Sequence, residues 1–98
     1  MKYSFMSFSC PDLDLDGMLS LAERFGYDGI EPRIDSGHRH GVEVDSDSAF
    51  RREARKRAEE KGVAICCVAT SCKMVLRETE RTLEAIDLAG DVGAGRVR

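Results

Sequence analysis

The sequence lacks the features that mark several large classes of protein. No apolar run approaches the roughly 20 residues that a membrane-spanning helix needs, and no small-residue cleavage site follows the short apolar stretch at residues 1–8. Basic residues are not in excess, because 15 Lys and Arg stand against 18 Asp and Glu and the net charge is −3. Nucleic acids and anionic membranes attract basic surfaces. We therefore expect a cytoplasmic protein that binds neither nucleic acid nor membranes.

Cysteine pairs of the C-x-x-C kind are also absent, although the chain has four cysteines, at positions 10, 66, 67 and 72. Cys66 and Cys67 are adjacent, and neighbours on a β-strand point to opposite faces. The pattern predicts reduced thiols rather than a disulfide framework. We expect Cys66 and Cys67 to be small buried hydrophobic residues, whereas Cys10 either lies in a strand-ending turn or lines a pocket.

What the sequence does contain is a strand–helix plan that occurs three times. Strands are predicted at residues 2–8, 29–34 and 63–70, and the helix after each strand ends at a glycine, namely Gly26, Gly62 and Gly93. These glycines are 62 − 26 = 36 and 93 − 62 = 31 residues apart. Residues 95–98 look like the start of a fourth strand. Units of this length predict right-handed βαβ crossovers and a parallel sheet.

The helices are predicted from their caps and apolar stripes. Asp14 is the expected N-cap of the first helix, and Ser46 or Ser48 that of the second, while the third helix spans residues 78–92. The expected buried positions are Leu15, Met18, Leu19 and Ala22 in the first helix, Phe50, Ala54 and Ala58 in the second, and Leu83, Ile86, Leu88 and Ala89 in the third.

Two architectures repeat in this way, the open doubly wound sheet and the closed barrel. A dinucleotide-binding open sheet should carry G-x-G-x-x-G after its first strand, but residues 7–12 contain no glycine. A barrel of eight units needs about 250 residues. The 98 residues would then be one partial domain, containing three strand–helix units and the start of strand four.

Residues 25–31, Phe-Gly-Tyr-Asp-Gly-Ile-Glu, resemble the first helix-to-strand junction of the xylose-isomerase-like barrel superfamily. Residues 61–65 resemble its second junction, and residues 85–94 resemble its third helix. The resemblance covers nearly the whole chain in the order of the family. It implies an α/β fold, namely the N-terminal three units and the start of strand four of a (β/α)8 TIM barrel with parallel strands.

The resemblance also implies an activity for the full-length parent, which is expected to be a metal-dependent isomerase, epimerase or related lyase. Its substrate would be a sugar or sugar phosphate, and its cofactor a divalent metal such as Mn, Mg, Co or Zn. In the epimerases and isomerases of the family, a pair of glutamates moves a proton next to a carbonyl while the metal polarises the oxygens. Most metal ligands and proton-transfer residues come from the fourth strand onward. We therefore assign no catalytic residue and no metal ligand to this chain, and we expect the fragment alone to be inactive and without a metal.

Substrate contacts are expected at the C-terminal ends of the strands, where barrels of this type place their sites. The candidates are Glu31 and Arg33, which are two apart and so share one strand face, His38 and His40 in the following loop, and Ser71 after the third strand. Arg33 can bind a carboxylate or phosphate through two parallel hydrogen bonds. The alternatives are a Glu31–Arg33 ion pair, a solvated histidine loop, and local hydrogen bonding around Ser71.

Other interpretations remain open. Three strands with helices on one side leave bare sheet edges, so the chain is also consistent with a non-catalytic half-barrel module that self-associates or assembles with another chain. His38 and His40 also suggest a metal-dependent hydrolase on a related barrel, although the family with an H-x-H pair has it after the first strand. The basic run at residues 51–57 contains Glu53, precedes Glu59 and Glu60, and is expected to be a solvated helix face. This mixture of acidic and basic residues argues against the branch of the superfamily whose members repair DNA.

Overall fold

The computed structural model of the protein describes residues 1–70 and 78–98. Within these residues it is an α/β structure with three parallel strands in one sheet and three α-helices. The strands are β1 (Ser4–Met6), β2 (Gly29–Glu31) and β3 (Ala64–Ile65). The helices are α1 (Leu15–Phe25), α2 (Ser48–Glu60) and α3 (Thr79–Val92), and a short 3₁₀ helix at Ser7–Ser9 follows β1.

The strands lie in the order β1-β2-β3 and both pairs are parallel, which confirms the predicted parallel sheet. Beyond β3, Val68 forms an isolated parallel bridge with Val97. Residues 95–98, predicted to start a fourth strand, therefore run beside the chain that follows β3. The regular strands are shorter than predicted, because the chain after β1 turns into the 3₁₀ helix and Pro32 after β2 has no N–H to donate.

The three helices lie side by side, with α2 in the middle. Arg57 of α2 forms an ion pair with Asp16 of α1 at 3.3 Å, and Arg51 of α2 forms one with Asp91 of α3 at 2.9 Å. Consecutive right-handed crossovers in one direction place all helices on the same face of a sheet. The core lies between that face and the helices, and it includes Ile30 and Ile65 of neighbouring strands.

The first helix agrees with its prediction. Asp14 caps α1, since its carboxylate accepts from the N–H of Gly17 at 2.8 Å, and the four residues of the predicted stripe are buried. All three helix-ending glycines have the positive φ expected of them, at 74° for Gly26, 67° for Gly62 and 82° for Gly93.

The predicted cap of the second helix is wrong. Neither Ser46 nor Ser48 caps α2, because the carboxylate of Asp47 accepts from the N–H of Phe50 at 2.7 Å. Ser48 is the first residue of the helix, and the hydroxyl of Ser46 donates to the carbonyl of Glu43. A charged carboxylate is a stronger acceptor for the first-turn N–H groups than a hydroxyl. The buried side was predicted correctly, with Ala54 and Ala58 buried and Phe50 packed against the core.

The apolar stripe predicted for the third helix is partly wrong. Leu83 is 56% exposed and Ile86 is 49% exposed. The buried residues are instead Ala85, Leu88, Ala89 and Val92. This set has the i, i+3, i+4, i+7 spacing of one helix face, and the larger side chains at 83 and 86 lie outside it. Among the described residues, no helix is both long and apolar enough to cross a bilayer.

Candidate functional site

The ends of the parallel strands bring three segments together. They are the 3₁₀ helix after β1, the loop between β2 and α2, and residues 66–70 after β3. Arg33, in the second segment, bridges Ala69 in the third, and its N–H donates to the hydroxyl of Ser7 in the first, at 2.9 Å. Arg33 therefore lies where the three strand ends meet.

Both main-chain groups of Arg33 are held by buried side chains. Ser7 is fully buried and accepts from the Arg33 N–H, while Nε2 of His40, 2% exposed, lies 2.9 Å from the Arg33 carbonyl oxygen. Neighbouring residues add ladder bonds, since Ile34 donates to Ala69 and Ala69 donates to Pro32, both at 2.9 Å. The main chain at Arg33 is thus fixed from several directions.

His40 uses both ring nitrogens inside the protein. Its Nδ1 accepts from the N–H of Val42 at 2.9 Å, so the ring proton lies on Nε2 and is donated to the Arg33 carbonyl. Burial lowers the pKa of His40 below its ordinary value of 6.5, the bond to the Arg33 carbonyl opposes this, and the nearby His38 adds a small further lowering. Neither nitrogen is free for a ligand, so the geometry gives His40 a structural role.

His38 has a different environment, because it is half-buried and faces the strand-end surface. Its Nδ1 lies 2.7 Å from the hydroxyl of Ser7, and its ring meets that of Phe8 edge to face with centroids 5.0 Å apart. Ser7 is fully buried, so its hydroxyl proton needs an acceptor, and we assign that proton to the bond with Nδ1 of His38. That assignment leaves an N–H on Nε2, which has no hydrogen-bond partner within residues 1–70 and 78–98.

The side chain of Arg33 stacks rather than pairs. Its guanidinium lies 5.5 Å from the centre of the Phe8 ring, a cation–π contact. Its Nε is buried and makes no hydrogen bond in the described part of the chain. The ring of Phe8, 57% exposed, therefore contacts both Arg33 and His38 at the surface.

Glu31 lies two residues before Arg33, and its carboxylate pairs with a different arginine. Its Oε2 accepts from Nη2 of Arg98 at 3.1 Å, and its Oε1 receives a long contact of 3.4 Å from the hydroxyl of Ser4. The side chain of Glu31 is 22% exposed and that of Arg98 is 60% exposed. The alternative of a Glu31–Arg33 ion pair is therefore not realised within the described residues.

An open cleft of about 670 Å³ lies beside His38, between the loop after β2 and helix α3. Arg81 of α3 closes one side through ion pairs with Asp35 and Glu84. Burial raises the pKa of Glu43 in the cleft wall above its ordinary value. The cleft is rich in carboxylates and polar, and is lined by Asp35, Gly37, His38, Glu43, Val44, Asp45, Arg81 and Glu84.

The donor groups around the strand ends do not form a metal centre. Within residues 1–70 and 78–98, no group of three or more His, Cys, Asp or Glu side chains is arranged to hold a metal ion. His38 and His40 lie with ring centroids 6.1 Å apart, and the nitrogens of His40 are both engaged. The described residues therefore do not fit a divalent metal.

The structure thus brings Arg33 and His38 together with Ser7 and Phe8, places Glu31 below them and buries His40 behind them. The candidate Ser71 lies outside the described residues. Cys10 is half-buried against the core, which agrees with a strand-ending turn, and burial raises the pKa of its thiol.

Sequence reasoning missed Ser7 and Phe8 because it placed both in the apolar strand. The signal that could have found them was Ser7, because serine is a weak strand former and lies here near the C-terminal end of the predicted strand.

No protein-family model matches the chain. No curated protein matches it with significant sequence similarity.

Proposed function

We propose that the chain is the N-terminal part of a (β/α)8 barrel enzyme, a metal-dependent isomerase or epimerase that transfers a proton next to the carbonyl of a sugar or sugar phosphate. The observation that carries the proposal is the direction in which the sheet grows. β1, β2 and β3 follow one another in space, and Val97 joins the chain beyond β3 at Val68. Each new parallel segment is added on the same side.

This direction favours the barrel over the open sheet. In a dinucleotide-binding sheet the strand order reverses after the third strand, and the fourth strand lies beside the first. In a barrel every strand lies beside its predecessor until the sheet closes, with the helices in an outer ring. The bridge from Val68 to Val97 and the side-by-side helices both support the second arrangement.

The role of this chain in such an enzyme would be to bind and orient the substrate. Arg33 and the Nε2–H of His38 are donors at the strand ends, where barrels bind their ligands. Glu31, matched by Arg98, lies deeper on the same side of the sheet. A bound divalent metal would polarise the substrate oxygens. Its ligands and the acid–base pair would come from other parts of the barrel. The fragment alone would therefore be inactive, and the whole enzyme would act in the cytoplasm.

A second candidate function, assembly with another chain or with a second copy, is favoured by one observation. An open cleft of about 550 Å³ lies beside β1, which pairs only with β2 among the described residues, and its walls include Phe25 and Tyr27, which are 62% and 38% exposed. Sheet edges flanked by apolar side chains pair with other chains. The hydrolase alternative has less support, because both nitrogens of His40 are occupied.

The test uses the protein purified from its source. Its intact mass is measured first, and it is then incubated in D₂O with Mn²⁺ and a panel of ketoses and ketose phosphates. Proton transfer next to a carbonyl replaces that C–H by C–D, which NMR detects whichever product is formed. Metal-dependent deuterium uptake that EDTA abolishes supports the proposal. A protein of 10.9 kDa that elutes as a dimer and exchanges no deuterium favours the assembly function.

A further inference from the structure

Two buried polar side chains of the described chain serve the same residue. Ser7 and His40 are the buried polar residues within 1–70 and 78–98. Ser7 accepts from the N–H of Arg33, and His40 donates to its carbonyl. Burying a polar side chain is costly unless it is hydrogen-bonded. Here both side chains hold the main chain of one surface-facing arginine in place.

The guanidinium held in this way has no counter-ion in the described part of the chain. Its Nε–H is buried without an acceptor, and it contacts the apolar ring of Phe8. Most cations that approach the core behave differently. The other half-buried cations of the described residues, namely Arg51, Arg57, Lys61 and Arg81, each form an ion pair with a carboxylate. A half-buried cation without a partner is destabilised by lost hydration, and a bound anion offsets that cost.

We infer that Arg33 is the centre of an oxyanion-binding subsite, which takes the carboxylate or phosphate group of a ligand. The fixed main chain pre-organises the guanidinium, so less conformational entropy is lost when the anion binds. Phe8 keeps the planar group oriented, and planar guanidinium nitrogens match the paired oxygens of either anion. His38 lies on the Phe8 ring and offers its Nε2–H at the rim. The inference deepens the proposed function, since it makes the substrate of that function anionic.

The experiment is an NMR titration of the 98-residue chain with inorganic phosphate and, separately, with acetate, at ionic strength held constant with NaCl. The readouts are the Nε–H signal of Arg33 in the natural chain, whose burial slows exchange with solvent, and the ring signals of Phe8 in the natural chain and in every variant. We expect saturable shifts at Arg33 and Phe8. Arg33→Gln should weaken binding by about tenfold or more, the loss expected for a charge-assisted hydrogen bond. Arg39→Gln is the matched control, because Arg39 is an exposed arginine of the same loop.

Saturation by phosphate supports a phosphorylated ligand, and saturation by acetate alone supports a carboxylate. The inference is overturned if neither anion shifts the Arg33 signal, or if Arg39→Gln weakens binding as much as Arg33→Gln. If Arg33→Gln does not fold, Arg33→Lys takes its place, because lysine keeps the positive charge but cannot make the two parallel hydrogen bonds of a guanidinium. Binding without deuterium uptake by the source protein would keep the subsite and end the isomerase proposal. Deuterium uptake by the source protein without anion binding at Arg33 would support the isomerase proposal and overturn the subsite.

Discussion

Lowering the pH below 6.5 should destabilise the protein through His40. The ring is 2% exposed, its Nδ1 accepts from the Val42 N–H, and burial lowers its pKa below the ordinary 6.5. A second ring proton would place two N–H groups face to face at Nδ1. Below pH 6.5 the unfolded chain therefore binds a proton at His40 that the folded chain resists. The free energy of unfolding should fall as the pH falls and level off above pH 6.5.

The size of the effect follows from linkage. One proton taken up on unfolding changes the free energy of unfolding by at most about 1.4 kcal/mol per pH unit. Between pH 6.5 and 5.5 the loss should be about 1 kcal/mol if His40 stays neutral in the fold, because the unfolded histidine is only half protonated at pH 6.5. For a domain of about 100 residues, 1 kcal/mol corresponds to roughly 4 °C in Tm or more. Glu43 acts in the opposite sense, because its raised pKa stabilises the protein at low pH, in a window that starts near 4.5.

The assay is urea unfolding followed by circular dichroism at several pH values from 7.5 to 5.5, for the natural chain, His40→Gln and His38→Gln. The loss of stability at lower pH should disappear in His40→Gln and persist in His38→Gln, where the replaced ring is half-buried and, within the described residues, is bonded at Nδ1 alone. The comparison of slopes cancels the contribution of Glu43. If His40→Gln does not fold, the ¹⁵N signals of the His40 ring in the natural chain decide the matter. A flat profile, or a ring that titrates near pH 6.5, would refute the argument.

Three further changes test the local structure by the same unfolding assay. Asp47→Ala should lower the free energy of unfolding by about 1 kcal/mol because it removes the N-cap of α2. Ser48→Ala is the control and should change it little. The reverse ranking would show that Ser48 is the cap. Gly41→Ala should destabilise by about 1 kcal/mol or more, since φ is 76° and an added Cβ would lie 3.0 Å from the Phe50 ring. Gly90→Ala should stabilise by about 0.5–1 kcal/mol because α3 leaves open space there; a loss of stability would show that the helix packs more closely at this position.

Much of the fold could be predicted because its signals are local. The positive φ after a helix, the carboxylate at the first turn and the stripe of α1 each depend on a few neighbouring residues. The prediction for α3 failed because Leu83 and Ile86 are apolar but lie beside the buried face. Periodicity identifies a helix, but the neighbours that a helix packs against decide which of two overlapping stripes is buried.

The candidate site could be predicted only in part, since its geometry depends on contacts between distant residues. Arg33 was found because polar side chains at strand ends are informative in any parallel sheet. The pattern gave no reason for the histidines to differ, yet His40 is buried behind Arg33 and His38 lies at the rim. Gly37 precedes His38 and Gly41 follows His40, and both glycines have positive φ.

The partner of Glu31 decides the chemistry available to Arg33. Residues two apart on a strand are about 6.6 Å apart along the chain, so a direct ion pair between Glu31 and Arg33 would require both side chains to bend. Arg98 reaches Glu31 from the far side of the chain beyond β3. Because Arg98 pairs with Glu31, no carboxylate within residues 1–70 and 78–98 pairs with Arg33, and in the proposed subsite an anionic ligand would take that place.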